Sequence, residues 1–160
     1  NLGSVQKFLA LNSQYTISNI VYNSNEIEER PELYFRLVRP WKESDVGSPH
    51  CDFWFDEAMG TNWGRGNTFK VWIPIVQETG KNGLYFYPLS NKDVPYDIIQ
   101  DGSFIKPIIA DSRYIGEPVL PMLTDGQALK FDDDVLHCGA VNKGETTRVS
   151  IEITFIRNKH

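Results

Sequence analysis

The chain has 160 residues, 41% of them hydrophobic and 12% aromatic, enough for one aromatic-rich core and too few for a second domain. A formal charge of -5 and a pI near 5.2, with Lys and Arg scattered singly, argue against a nucleic-acid groove. No apolar run approaches a membrane span, and Asn1 to Ala10 lacks the basic start and apolar stretch of a signal peptide, so a cytoplasmic protein without membrane attachment is expected.

From Gly3 to Gln14, the residues Val5, Phe8 and Leu9 fall on an approximate helical stripe with Ser4 as a cap, which predicts a short N-terminal helix. Beyond it, β-favouring runs alternate with turn clusters. Tyr15 to Tyr22, Leu33 to Val38, His50 to Phe55, Phe69 to Val76, Gly83 to Tyr87, Ala128 to Phe131 and Thr147 to Ile156 read as strands. Arg39-Pro40, Gly47-Ser48-Pro49, Gly64 to Asn67, Thr79 to Gly83, Asp125-Gly126 and Asn142 to Gly144 punctuate them. Many short strands at this spacing predict a mostly β single domain, a sandwich or jelly roll.

Ser90 to Met122 stands apart, with Pro95, Pro107, Pro118 and Pro121 and little periodicity, and is expected to form an insertion that acts as a lid. In Arg148 to Phe155 polar and apolar side chains alternate, so one face should be packed core while the other meets something polar. Cys51 and Cys138 are too few for a disulfide framework and read as reduced thiols. Asp132-Asp133-Asp134 reads as a solvated turn. Arg36, Arg39, Lys42 and Arg65 read as surface cations, with one of them able to meet an anionic substrate.

The chemistry lies in four places. His50-Cys51-Asp52 sets an imidazole and a carboxylate on one face of an extended segment, where both can reach one metal ion. His137 is the second imidazole, because His160 is terminal. Two His and one carboxylate match the facial triad of non-haem Fe(II) oxygenases, although zinc takes the same ligands. Ten residues further on, Arg148 and Ser150 share a strand face, and a guanidinium beside a hydroxyl grips a carboxylate-bearing cosubstrate, which favours iron. Trp72 reads either as core packing or as a wall of the cosubstrate pocket.

These residues carry a family resemblance. Leu33 to Ile156 resembles the phytanoyl-CoA dioxygenase-like branch of the Fe(II)- and 2-oxoglutarate-dependent oxygenases. The matching pieces are Ser48-Pro49-His50-Cys51-Asp52, Val71-Trp72-Ile73-Pro74-Ile75 with Gly83 to Pro88, and His137 through Asn142 to Arg148-Val149-Ser150. The resemblance implies a double-stranded β-helix, cupin-like, with Fe(II) on His50, Asp52 and His137 inside one mouth. It further implies 2-oxoglutarate held by Arg148 and Ser150, with O2 and a small-molecule substrate as the reacting partners. The reaction implied is hydroxylation of a small or medium metabolite, with release of succinate and CO2.

Two departures stand out: Leu89-Ser90-Asn91 follows Pro88 where the family commonly has Gly-Ser-His, and the N-terminal helical region is largely missing. Both touch substrate binding more than metal binding. A halide-binding relative would need the carboxylate position vacated, and Asp52 fills it. Two other classes remain: a cupin-like zinc or manganese isomerase or hydrolase, with no use for Arg148 and Ser150, and a non-catalytic jelly-roll binding module.

Overall fold

A computed structural model of the chain describes residues 14–18, 20–23, 26–29, 33–60, 64–88, 93–101 and 104–158. The helix predicted for Gly3 to Gln14 lies outside them, apart from Gln14 itself. In chain order the elements are β1 (Tyr15–Ile17), β2 (Ile20–Asn23), β3 (Glu26–Glu29), β4 (Leu33–Val38), α1 (Asp52–Met59), β5 (Thr68–Val76), β6 (Leu84–Phe86), β7 (Tyr96–Asp101), β8 (Phe104–Ile109), β9 (Leu129–Asp132), β10 (His137–Gly139) and β11 (Arg148–Arg157). Among the described residues the protein is mostly β, antiparallel throughout, with one α-helix that is too short to cross a membrane.

β11 organises the larger sheet. It pairs with β5 on one edge and with β4 and β1 on the other, and β5 continues to β9. The smaller sheet pairs β10 with β6, and His50 and Val119 extend it through single bridges to His137 and Phe86. The chain therefore alternates between the two layers from β4 onward, a cupin-like course. Trp72 from β5, Phe131 from β9 and Leu84 from β6 form one buried cluster between them. Burying each such side chain contributes about 1.5–3 kcal/mol.

The alternation along β11 is real, but its packed side is the polar one. Arg148, Ser150 and Thr154 are buried, whereas Val149, Ile151 and Ile153 are only half-buried. The apolar residues face outward beside Leu33, Phe35 and Leu37 of β4 and Val71 and Ile73 of β5, and Phe35 and Leu37 are 60% and 62% exposed. Period-2 patterning tells two faces apart without telling which is interior.

His50 to Phe55 is not a strand. Only His50 forms a β-bridge, Cys51 follows it in extended conformation as the helix N-cap, and Asp52 starts α1. A carboxylate in the first turn suits the helix dipole, Phe53 and Trp54 supply the buried face, and Gly60 closes the helix at φ 73, a left-handed conformation that glycine adopts without strain. The predicted Tyr15 to Tyr22 run divides into β1 and β2, and β3 was missed because Glu is depleted in strands.

The Ser90 to Met122 insertion contains a regular hairpin, with β7 and β8 pairing from Tyr96↔Ile109 to Asp101↔Phe104. Pro107 is tolerated in β8 because a two-stranded ribbon leaves one side of each strand unpaired. The hairpin is docked on α1: the Trp54 and Tyr96 rings stack at 4.4 Å and 12°, over a core of Cys51, Phe53, Trp54, Val94 and Leu136. Asp133 also differs from expectation. It is buried and accepts hydrogen bonds from the Gly66 and Thr68 amides and the Thr68 hydroxyl, tying the β9–β10 turn to the start of β5.

Candidate metal centre

The backbone brings the two predicted imidazoles together before any metal is considered. His50 and His137 exchange two backbone hydrogen bonds of 2.9 and 3.0 Å, which fixes their side chains on one side of the smaller sheet. His50 Nδ1 lies 2.8 Å from the Ser48 carbonyl, and His137 Nδ1 lies 2.9 Å from the Val135 carbonyl. A carbonyl only accepts, so each Nδ1 carries its proton and each Nε2 presents a lone pair.

Asp52 enters from the first residue of α1. Its carboxylate stands 3.9 Å from His50 Nε2 and 4.0 Å from His137 Nε2, and one potential ligand atom from each of the three residues lies within 4.8 Å of the others. Asp52 Oδ2 is buried and accepts no hydrogen bond. A buried carboxylate oxygen without a donor is expensive, and a divalent cation removes the penalty, so these residues fit a metal ion.

Electrostatics keep the ligands in the states that metal binding needs. Burial, with the neighbouring His137, pushes His50 down to about 4, so its imidazole is neutral at pH 7. Burial alone would raise the Asp52 carboxyl, but Lys70, the two imidazoles and Arg36 outweigh it and hold the group below its ordinary value. Lys70 Nζ is 3.8 Å from Asp52 Oδ1. Phe55 lies against His50, and Phe86 and Phe131 against His137, giving the imidazoles an aromatic surround.

The triad opens on a cavity of about 410 Å³ whose walls include Arg148, Glu152 and Thr154 of β11, Lys70 of β5 and Ile105 to Pro107 of the hairpin. Arg148 is buried, donates through Nη1 to the Gly83 carbonyl, and lies over the Trp72 ring at 5.7 Å. Burial lowers its pKa to about 10. No carboxylate among the described residues forms an ion pair with it. Among the described residues, four donors on this inner face are buried without a partner: Arg148 Nε, Ser150 Oγ, Thr154 Oγ1 and Trp72 Nε1. Trp72 is core, as one of its two readings expected, and it does not line the cavity. Ser150 and Trp72 stand behind the cavity surface, which Arg148 reaches.

Sequence reading missed Lys70, Glu152 and Thr154 as wall residues; Arg36, read as one of a group of surface cations of which one could meet an anionic substrate, is exposed and also lines the cavity. The signal was present, since Thr68, Lys70 and Trp72 alternate onto one face of β5 and Glu152 and Thr154 onto the face of Arg148. The cysteines flanking the ligands are buried free thiols: Cys51 donates to the Asp134 carbonyl at 3.5 Å and Cys138 lies 3.4 Å from the Tyr87 hydroxyl.

No protein-family model and no curated protein matches the chain. Among solved structures, the non-heme monooxygenase ThoJ aligns with 96% of this chain, at a TM-score of 0.54 and 14% identity as its nickel complex and 0.56 and 13% as the apo form. The non-heme alpha-ketoglutarate-dependent epimerase SnoN from nogalamycin biosynthesis aligns with 78% of the chain and 45% of its own length at 15% identity and a TM-score of 0.48, a likeness too weak to argue from. The chain spans 49% and 51% of the two ThoJ structures, about half their length, and what it shares with them is the fold of a non-heme monooxygenase.

Proposed function

We propose that this chain is an iron(II)- and 2-oxoglutarate-dependent oxygenase domain of the double-stranded β-helix type, of the branch resembling the phytanoyl-CoA dioxygenases, acting on a small or medium metabolite. The observation that carries this reading is Arg148, a buried guanidinium that forms no ion pair with an acidic group among the described residues, on the wall of the cavity that holds His50, Asp52 and His137. A buried charge left unpaired is penalised by several kcal/mol, so such a residue anticipates an anionic ligand. The far carboxylate of 2-oxoglutarate answers it, and Ser150 Oγ and Trp72 Nε1 are two more donors awaiting an acceptor. A zinc or manganese isomerase or hydrolase would use the triad and strand Arg148. A non-catalytic module would strand both.

In this reading His50 Nε2, His137 Nε2 and Asp52 would hold the iron, a two-histidine, one-carboxylate set of the kind used by Fe(II) oxygenases. Iron, 2-oxoglutarate and O2, when bound, supply an oxidant for a substrate C–H bond with release of succinate and CO2. The protein's own contribution is geometric. The Ser48 and Val135 carbonyls fix the imidazole tautomers, Arg148 and Ser150 fix the far end of the cosubstrate, and the phenylalanines around the imidazoles limit water. We read the β7–β8 hairpin as the cover of the substrate side.

Anaerobic titration tests the assignment. The protein should bind one Fe(II) and then 2-oxoglutarate, giving a metal-to-ligand absorption band, and should release succinate in air. His137→Ala should lose metal. Iron-loaded protein that never binds 2-oxoglutarate would overturn the reading.

A further inference from the structure

Resting on that reading, we propose that the substrate carries an uncharged oxygen, a hydroxyl or a carbonyl, which hydrogen-bonds to the hydroxyl of Thr154 in the cavity that holds the triad. Thr154 lies on β11 beyond Arg148, about 20 Å further along the strand and past the reach of a five-carbon cosubstrate anchored there. Its backbone is held on both sides: it pairs with Lys70 of β5, and its carbonyl accepts from the Ser18 amide at 2.8 Å. Lys70 in turn reaches Asp52 at 3.8 Å, so Thr154 stands next to the side chain that faces the metal ligands. On the inner face of β11 it follows Arg148, Ser150 and Glu152, and it lines the cavity itself. Phe55 and Met59 of α1 and Ile105 and Pro107 of β8 line the same cavity and give a carbon skeleton its apolar walls.

Thr154 is only 5% exposed, and its Oγ1 is buried without a hydrogen-bond partner. Arg148 Nε, Ser150 Oγ and Trp72 Nε1 share that condition and are assigned to the cosubstrate, whereas Thr154 Oγ1 has no role there. A neighbouring threonine shows what a structural hydroxyl does on this face: Thr68, equally buried, donates to Asp133 Oδ2 at 3.0 Å. Threonine and valine have nearly the same shape and both favour strands. Valine would therefore serve packing and β-propensity equally well, without stranding a hydroxyl. The charges nearby are answered, Arg36 by Glu152 at 3.7 Å and Lys70 by Asp52 at 3.8 Å. The unmet group that Thr154 adds to the cavity is thus neutral. A threonine hydroxyl donates and accepts, so an alcohol or a ketone matches it, while an ammonium would meet the two cations.

The test compares wild type, Thr154→Val and Thr154→Ser as metal-loaded protein saturated with 2-oxoglutarate under argon. Four probes sharing one skeleton are titrated by calorimetry: ethylbenzene, 1-phenylethanol, acetophenone and 1-phenylethylamine. In wild type, 1-phenylethanol or acetophenone should bind about tenfold or more tightly than ethylbenzene and the amine, since a site built to hydrogen-bond an oxygen rejects an analogue that lacks it. Thr154→Val should lose that preference and Thr154→Ser should keep it. Because Thr154 is uncharged and its hydroxyl bonds to no metal ligand, all three proteins should take up metal and 2-oxoglutarate alike. A second readout separates this role from a structural one: metal-free Thr154→Val should melt no lower than wild type, because a methyl replaces an unsatisfied hydroxyl. Equal binding of all four probes, no oxygenated probe bound at millimolar concentration, or a preference that survives Thr154→Val or is lost in Thr154→Ser would overturn the proposal. So would a lower melting temperature, or lost metal or 2-oxoglutarate uptake, in Thr154→Val. Metal and 2-oxoglutarate uptake by wild type, measured first, reports separately on the oxygenase reading.

Discussion

At the scale of single residues, the site works through groups that are buried and left incomplete. Removing the Arg148 guanidinium should weaken 2-oxoglutarate binding by about 2–4 kcal/mol and leave iron binding nearly intact, because the loss falls on a charge pair formed only with the cosubstrate. Arg148→Lys should restore only part, since an ammonium lacks the planar fork that matches a carboxylate. The absorption band of the iron–cosubstrate complex measures both, and wild-type affinity in Arg148→Ala would refute the assignment. His50 gives metal-free protein a defined pH response. Above pH 6.5 the imidazole is neutral in the folded and unfolded chain alike. Between 6.5 and about 4 the unfolded chain takes up a proton that the folded site refuses, so stability falls as pH falls and the contribution levels off below 4. Asp52, held below its ordinary value, adds a loss of the same sign further into acid. Thermal melts of the apo-protein from pH 7 to 4 should show this decline, and His50→Asn should flatten its upper part.

At the scale of elements, the ligand positions depend on segments whose nature is set by tertiary contacts. Asn142 shows how the loop between His137 and Arg148 is held. Its buried amide donates to the Val38 and Thr146 carbonyls, and its oxygen accepts from Asn82 and from the Gly144 amide. Asn142→Ala should destabilise the fold by roughly 2–3 kcal/mol in urea denaturation, the penalty for stranding several buried groups. The hairpin β7–β8 hangs on the helix that carries Asp52, chiefly through the Trp54–Tyr96 stack. Tyr96→Ala should speed amide exchange across β7 and β8 while leaving β11 protected, and occupancy of the cavity should slow exchange there if the hairpin is its cover. Unchanged hairpin exchange on loading with metal and 2-oxoglutarate would leave it a fixed wall. These elements also mark the limits of sequence reading. The strands β4, β5, β6, β9 and β11 were legible because each is a β-favouring run bounded by Gly, Pro or Asn. The Asp52 helix was not, since Phe53-Trp54-Phe55 is as apolar in a strand as in a helix and only contact with Val94 and Leu136 selects the latter. The site residues were legible for a different reason: His50, Asp52, His137, Arg148 and Ser150 are unusual chemistry at fixed spacing, whereas Lys70 and Glu152 look like any solvated strand residues until the inner face of the sheet is known.

At the scale of the whole molecule, the apolar outer face of β4, β11 and β5 and the polar inner face invert the usual economy of a sheet. Phe35→Lys and Leu37→Lys should raise solubility and lower binding of a hydrophobic dye without changing iron uptake, because both side chains point away from the cavity. The paired backbone of His50 and His137 has a further consequence. These residues stand far apart in the chain, so a metal bound by both acts as a removable cross-link that closes a long loop, and it favours the folded ensemble by mass action. At a free metal concentration a hundred times its dissociation constant, the gain is about 2.7 kcal/mol, with a melting temperature that climbs as metal is added and falls back under chelation. In a cell short of that metal, this chain would then be lost more readily by unfolding and proteolysis, so that its abundance, and not only its turnover, would follow the supply of the metal.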